Sequence, residues 1–110
     1  MSELTQKHCV PCEGGTPALE ADQARELLAH LDDWTLNENA TEISRTFKLK
    51  NFHETMEFVN ALAWIAHRED HHPNLEVGYN RCRVRYSTHA IGGLSENDFI
   101  CAAKVDALLK

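Results

Sequence analysis

The residues with the clearest chemical potential in this chain are histidines. There are seven, and four of them, His67, His71, His72 and His89, fall between positions 67 and 89. Imidazole gives up and takes back a proton near neutral pH, and it is also a common metal ligand. The cluster therefore predicts a proton-transfer site or a metal site, unless its members are separate surface residues.

The spacing of these histidines predicts where they meet. His67 and His71 are four residues apart, so they share one face if a helix continues through them. Pro73 disfavours helical geometry at His72, so the helix should end near His71. His89 follows about one strand later. Its place in the alternation predicts that its side chain points away from a helix–sheet core. We therefore expect several imidazoles at one end of the sheet, near the surface.

Two kinds of chemistry remain open at this point. Histidines at i and i+4 suit Zn²⁺, with His72 or His89 as a third ligand, but the metalloprotease helix has glutamate where this chain has Arg68. The second possibility is general acid–base catalysis without a metal, in which one imidazole takes a proton and another delivers one. Asp70 and Asp98 could orient the rings. An elimination of water needs this combination.

Length, charge and hydropathy limit the class of protein. A chain of 110 residues has room for one domain. Its net charge of −6 argues against non-specific nucleic-acid binding. No segment approaches the roughly 18–20 apolar residues that cross a bilayer. Met1–Gln6 lacks the basic and apolar segments of a secretory signal, so we expect a cytoplasmic protein with reduced thiols and no membrane contact.

Residues 1–17 are predicted to be an irregular and poorly packed N-terminal segment, because they contain two of the three prolines and Gly14-Gly15. Cys9 and Cys12 form a single C-x-x-C motif, whereas a zinc ribbon needs two such pairs. A non-catalytic role is therefore favoured for this segment. Cys82 and Cys101 lie in apolar patterns that are typical of core residues.

Residues 18–110 are predicted to form one domain of the α+β class. Helical patterns cover about 18–31 and 51–70, and a third begins at Ser95, which forms a capping box with Asp98. Alternating patterns predict strands near Trp34, over 42–49, and over 75–79 and 82–87. The order α-β-β-α-β-β-α predicts a four-stranded antiparallel sheet with three helices packed on one face.

Two further features of this domain lead to specific expectations. In the second helix, one apolar face is predicted to meet the core: Phe52, Met56, Val59, Ala63 and Ala66. The sheet leaves edge strands and an uncovered face, and both invite self-association. We therefore expect an oligomer.

Part of the sequence resembles the signature of the pterin-4a-carbinolamine dehydratases. The resemblance spans residues 67–98 and rests on His71-His72-Pro73, Tyr79, Ser87-Thr88-His89, Gly93-Leu94-Ser95-Glu96 and Asp98. It implies a hydro-lyase that converts 4a-hydroxytetrahydropterin into quinonoid dihydropterin without a metal or organic cofactor. It also implies a homodimer or homotetramer. The implied role is tetrahydropterin recycling for an aromatic amino acid hydroxylase, such as phenylalanine hydroxylase.

The resemblance also implies roles for individual residues. His71, His72 and His89 would be catalytic, with His72 as the main acid–base group. Substrate binding or support of the site would involve His67, Asp70, Pro73, Thr88 and Asp98. His67 departs from the glutamate that many members have, which would remove a carboxylate from the pterin site. Animal members also bind a homeodomain transcription factor, but nothing in this chain identifies such a partner.

Overall fold

The elements of the fold follow the predicted order α-β-β-α-β-β-α. The computed structural model describes residues 3–11 and 17–109. Its helices are α1 (Ala21–Leu28), α2 (Phe52–Glu69) and α3 (Glu96–Ala107), and its strands are β1 (Thr35–Leu36), β2 (Ile43–Lys48), β3 (Asn74–Val77) and β4 (Arg81–Tyr86). Short 3₁₀ helices span Glu3–Gln6 and His89–Ile91. The predicted α+β class is confirmed, although α1 is shorter than the 18–31 expected.

The sheet is antiparallel throughout, with the strand order β1-β2-β4-β3. In the central pair, Ile43 lies opposite Tyr86 and Phe47 lies opposite Cys82. Residues opposite each other share a face, and all four side chains are buried. This face packs against the helices, as the alternating sequence pattern predicted.

The face that helix α2 turns to the core coincides only in part with the apolar face predicted for it. Its N-cap is Asn51, as expected, whose side chain accepts the Glu54 N–H. Its buried residues are Thr55, Phe58, Leu62 and Glu69. Of the predicted face of Phe52, Met56, Val59, Ala63 and Ala66, Val59 packs against the core, whereas Phe52 and Ala63 are exposed. The helix has two apolar stripes, and spacing alone does not say which one docks. The Thr55 hydroxyl donates to the Tyr79 carbonyl at 3.0 Å. This contact turns the stripe that contains Thr55, Phe58 and Leu62 toward the core.

The beginning of the chain is better packed than its composition suggested. We call Glu3–Pro11 the N-terminal strap. Leu4 is only 4% exposed and packs within the hydrophobic core, while the strap's 3₁₀ helix contacts α3. The expectation of poor packing is therefore wrong for Leu4, whereas most of the strap is exposed. Leu4 is buried because α3 is enclosed on most of its sides, and the strap's 3₁₀ helix covers part of that helix. Cys12 and Gly14-Gly15 lie outside the described residues.

A buried carboxylate ties α3 to the sheet. Asp106 Oδ1 accepts hydrogen bonds from Trp34 Nε1 and Arg45 Nη1, both at 2.8 Å. Burial raises the pKa of Asp106, although these donors oppose the effect. The Trp34 ring also packs against Tyr86, with the ring centroids 6.0 Å apart. The ion pair with Asp106 explains why Arg45 lies on the same face of β2 as the apolar residues Ile43 and Phe47.

Replacing Asp106 tests how much this network contributes to stability. Asp106→Ala should lower the free energy of unfolding by about 3 kcal/mol, because it leaves the Arg45 guanidinium with only the more distant Asp33 carboxylate and leaves Trp34 Nε1 without its acceptor. Asp106→Asn keeps an acceptor oxygen and should cost less. Urea unfolding of the two variants beside the wild type measures both values. An Asp106→Ala protein as stable as the wild type would contradict this assignment.

Candidate active site

The site is built around the Asp98 carboxylate, which is fully buried in the first turn of α3. Its Oδ2 atom accepts the Ser95 N–H at 3.0 Å and the Thr88 hydroxyl at 2.8 Å. The capping box between Ser95 and Asp98 is confirmed. A helix N-terminus also favours negative charge in its first turn. These contacts hold the carboxylate in place and leave Oδ1 for a different partner.

That partner is His71, whose Nε2 lies 2.6 Å from Asp98 Oδ1. A carboxylate only accepts hydrogen bonds, so Nε2 donates, and in the neutral ring Nδ1 is left with its lone pair. The imidazole also stacks on the Tyr86 ring at 5.8 Å between centroids and 9° between planes. Both the orientation and the tautomer of His71 are therefore set by buried neighbours.

The end of α2 directs the two adjacent histidines differently. Asp70 has a left-handed backbone, with φ of 52°, and both its N–H and that of His71 bond to the Ala66 carbonyl. Aspartate is among the side chains that enter this conformation most readily. The helix therefore ends before Pro73, as predicted. His71 is mostly buried, whereas His72 is exposed, with Nδ1 3.2 Å from the Pro73 carbonyl oxygen.

These residues open onto a cavity of about 500 Å³. Small-ligand pockets are typically about 300–1,000 Å³, so the volume suits a small organic molecule. Five of the predicted site residues line it: Asp70, His71, His72, Thr88 and His89. The structure thus brings three imidazoles from two separate segments to one concave surface.

The other predicted site residues do not line this cavity. Asp98 lies behind His71, and Pro73 contacts His72 through its carbonyl group. His67 is exposed on α2, with its ring centroid 6.3 Å from that of Trp64. A substrate-binding role for His67 stays a prediction.

Sequence reasoning missed Glu69, whose side chain is 5% exposed. Its carboxylate accepts the Cys9 N–H at 2.8 Å and His8 Nδ1–H at 3.1 Å. Burial alone would raise the pKa of Glu69, but these hydrogen bonds and the nearby Lys104 outweigh it, so the pKa lies below its ordinary value. Glu69 thus anchors the N-terminal strap, and only its contacts with this distant segment reveal that role. In the sequence, Glu69 resembles any charged residue at a helix end.

A thiol pair lies beside the cavity. Cys9 Sγ is 3.5 Å from Cys101 Sγ, and this contact, together with burial, raises the pKa of the Cys9 thiol. A protonated thiol is a poor nucleophile. Cys82 and Cys101 are fully buried, as predicted. Among residues 3–11 and 17–109, no three histidine, cysteine or carboxylate side chains are grouped so as to hold a metal ion.

Comparison with known proteins identifies the family. The family model for pterin 4 alpha carbinolamine dehydratase matches residues 17–108. The chain belongs to this family. A Nitrosomonas europaea relative whose name assigns it provisionally to this dehydratase is 62% identical over 109 residues, which is 98% of this chain and 95% of the relative. A similarly named Legionella pneumophila protein is 57% identical, covering 98% and 96% of the two chains.

Solved structures support the same fold. A Brucella melitensis protein described as a transcriptional coactivator/pterin dehydratase superposes with a TM-score of 0.80 at 33% identity, covering 84% of this chain and 99% of that one. A pterin dehydratase-like protein described as a RuBisCO assembly factor in the alpha-carboxysome gives a TM-score of 0.61 at 24% identity, covering 70% and 89%. The second likeness shows the fold alone.

The contact between His71 and Asp98 predicts a tautomer that can be measured. In Asp98→Asn, the amide oxygen should stay on the Ser95 N–H, so the amide NH₂ would face His71 and move the ring proton to Nδ1. Ring ¹⁵N chemical shifts of His71 at high pH distinguish the two tautomers. Glu96→Gln, an exposed neighbour on the same helix turn, is the control and should leave the shifts unchanged. Persistence of the Nε2–H form in Asp98→Asn would contradict the assignment.

Proposed function

We propose that this protein is a hydro-lyase that dehydrates 4a-hydroxytetrahydropterin to quinonoid dihydropterin. The observation that carries the proposal is the grouping of His71, His72 and His89 around one cavity, with His71 held by a buried carboxylate. Membership of the dehydratase family supports the same activity.

The reaction needs one proton removed and another delivered. N5 of the substrate loses its proton, the C4a–O bond breaks as the N5=C4a bond forms, and the hydroxyl leaves as water after protonation. Each transfer can be served by an imidazole positioned by the protein. We assign the main acid–base role to His72, which is exposed to the cavity, while His71 and His89 share binding and protonation.

Asp98 supports this chemistry through His71. A buried carboxylate on the far nitrogen stabilises the imidazolium that forms when the ring takes up a proton, as in hydrolase triads. His71 is therefore suited to bear positive charge beside the departing hydroxyl. The proposed mechanism uses only side chains of this protein and requires no metal or organic cofactor.

The proposed cellular role is the recycling of tetrahydropterin in the cytoplasm. The product returns to the reduced pterin used by an aromatic amino acid hydroxylase, which makes that hydroxylase a functional partner. Nucleic acid and membrane are not expected partners, in keeping with the net charge of −6. Within the described part of the chain, no helix has both the length and the apolar character needed to cross a bilayer.

Replacing His72 tests the assigned acid–base role. His72→Ala should lower kcat by ~10²–10⁴, the usual contribution of a positioned proton-transfer group. The measurement is the absorbance decay of freshly generated 4a-hydroxytetrahydropterin. His53→Ala, which removes an exposed imidazole from α2, is the matched control and should retain full activity. Near-normal turnover by His72→Ala would defeat the assignment. Stoichiometric zinc that proved essential for activity in the same sample would overturn the metal-free mechanism.

We further infer that the protein is a homodimer or homotetramer. Support comes from exposed apolar side chains on the outer side of α2 and on the edge strand β3: Phe52 is 48% exposed, Trp64 is 60% exposed and Val77 is 45% exposed. Exposed large apolar side chains and free strand edges of this kind favour association.

Sedimentation analysis tests this inference directly. The wild type should sediment as a multiple of 12.5 kDa. Trp64→Asp should shift the distribution toward smaller species, because it places a charge in an apolar contact. Leu109→Asp changes an exposed apolar residue beyond α3 and should leave the assembly intact. A monomeric wild type at micromolar concentration would rule out the inference.

A further inference from the structure

We propose that the N-terminal strap forms a wall of the substrate cavity and that Val10 and Pro11 supply its apolar contact with the pterin ring. Glu69 and Asn97 act as positioning residues that hold the strap in place. This inference rests on the proposed function, because it names the part of the same site that receives the ring.

The strap reaches the cavity itself. Cys9, Val10 and Pro11 all line it, together with the three candidate catalytic histidines. Val10 is 65% exposed, so its side chain contributes little to the core and is open to a ligand.

Two anchors position this part of the strap. The Val10 N–H donates to Asn97 Oδ1 at 3.0 Å, and Asn97 Nδ2 donates to the Val10 carbonyl at 2.6 Å. The Cys9 N–H donates to Glu69 Oε1 at 2.8 Å. A side-chain amide that pairs with both backbone groups of Val10 fixes the direction of the backbone as well as its distance.

The anchors are neighbours of the proposed site in the sequence. Asn97 directly precedes Asp98, the carboxylate that holds His71. Glu69 is the last residue of α2 and lies two positions before His71. The thiol of Cys101 also touches both Cys9 Sγ and the His71 carbonyl, at 3.5 and 3.9 Å. The strap is therefore built onto the same short segments that place the imidazole.

The rest of the strap is attached independently of the cavity. Leu4 is buried, and Lys104 Nζ donates to the Thr5 carbonyl at 3.0 Å. The wall is thus part of the folded protein, so a ligand need not order it on binding. A preformed wall avoids the conformational entropy cost that a disordered segment would add to binding.

The chemistry of the cavity shows why such a wall is needed. Many of its other lining residues are charged, hydroxylated or imidazole-bearing, including Arg68, Asp70 and Ser87. Small-ligand sites combine a few placed polar groups with mainly apolar surface. A flat heteroaromatic ring needs apolar contact on its faces, and the bulky apolar side chains of the described lining come from Val10 and Pro11. The family model begins at residue 17, so the strap lies outside the residues that it matches. Val10 and Pro11 therefore add lining residues to the part of the site that those matched residues form.

The test compares two changes of an exposed apolar residue to a carboxylate. Val10→Asp should weaken binding of biopterin, an oxidised pterin followed by its fluorescence, by about tenfold, because one poorly matched contact in a small-ligand pocket changes affinity on that order. The KM of the Val10→Asp variant for the carbinolamine should rise by a similar factor with kcat nearly unchanged. This is expected when binding is lost equally from the ground state and the transition state. Leu109→Asp is the matched control and should bind as the wild type does.

A second variant tests the anchor. Asn97→Ala should also raise KM more than it lowers kcat, and it should speed amide hydrogen exchange at Val10. Asn97→Asp, which keeps only the acceptor for the Val10 N–H, should fall between the alanine variant and the wild type.

The outcomes separate this inference from the proposed function. A wild type that binds biopterin and turns over the carbinolamine, beside a Val10→Asp variant with the same affinity and KM, would overturn the role of the strap alone. A wild type with neither binding nor turnover would overturn the proposed function and this inference with it.

Discussion

The buried carboxylate of Asp98 is the constraint on which the rest of the site depends. An isolated charge without solvent exposure is strongly unfavourable, so its oxygens must be surrounded by donors. Those donors come from three places in the chain: His71 after α2, Thr88 after β4, and the Ser95 backbone at the start of α3. Satisfying this one charge therefore brings together the segments that carry all three candidate catalytic histidines.

The same requirement connects the fold to the chemistry. The left-handed turn at Asp70 ends α2 so that His71 meets the carboxylate while His72 faces the cavity. Tyr86 closes the other side of the His71 ring, and the Trp34 ring packs against Tyr86 in turn. The imidazole is thus supported by the sheet core, which makes the geometry of the site a consequence of core packing.

Much of this arrangement was predictable because it depends on local signals. Pro73 disfavours helical geometry at the residue before it, the Ser95–Asp98 capping box starts α3, and the alternation in β4 assigns its buried face. These signals also placed His71, His72 and His89 near one another. The resemblance over residues 67–98 pointed to the same histidines.

What sequence reasoning missed depends on contacts between distant segments. The composition of the strap gave no sign that Leu4 would be buried, or that Glu69 and Asn97 would hold Cys9 and Val10. The docking face of α2 was predicted only in part for a related reason, since the helix has two apolar stripes and only the packing against the sheet distinguishes them. For His67, a local signal was not sufficient. Helical spacing predicted that it shares a face with His71, but in the structure it does not line the cavity.

The most direct test of the central claim is the decay rate of 4a-hydroxytetrahydropterin with and without the purified wild-type protein at neutral pH. The account predicts a decay that accelerates in proportion to protein concentration and yields quinonoid dihydropterin in both the presence and the absence of a chelator. A decay rate that does not change when the folded protein is added would contradict it.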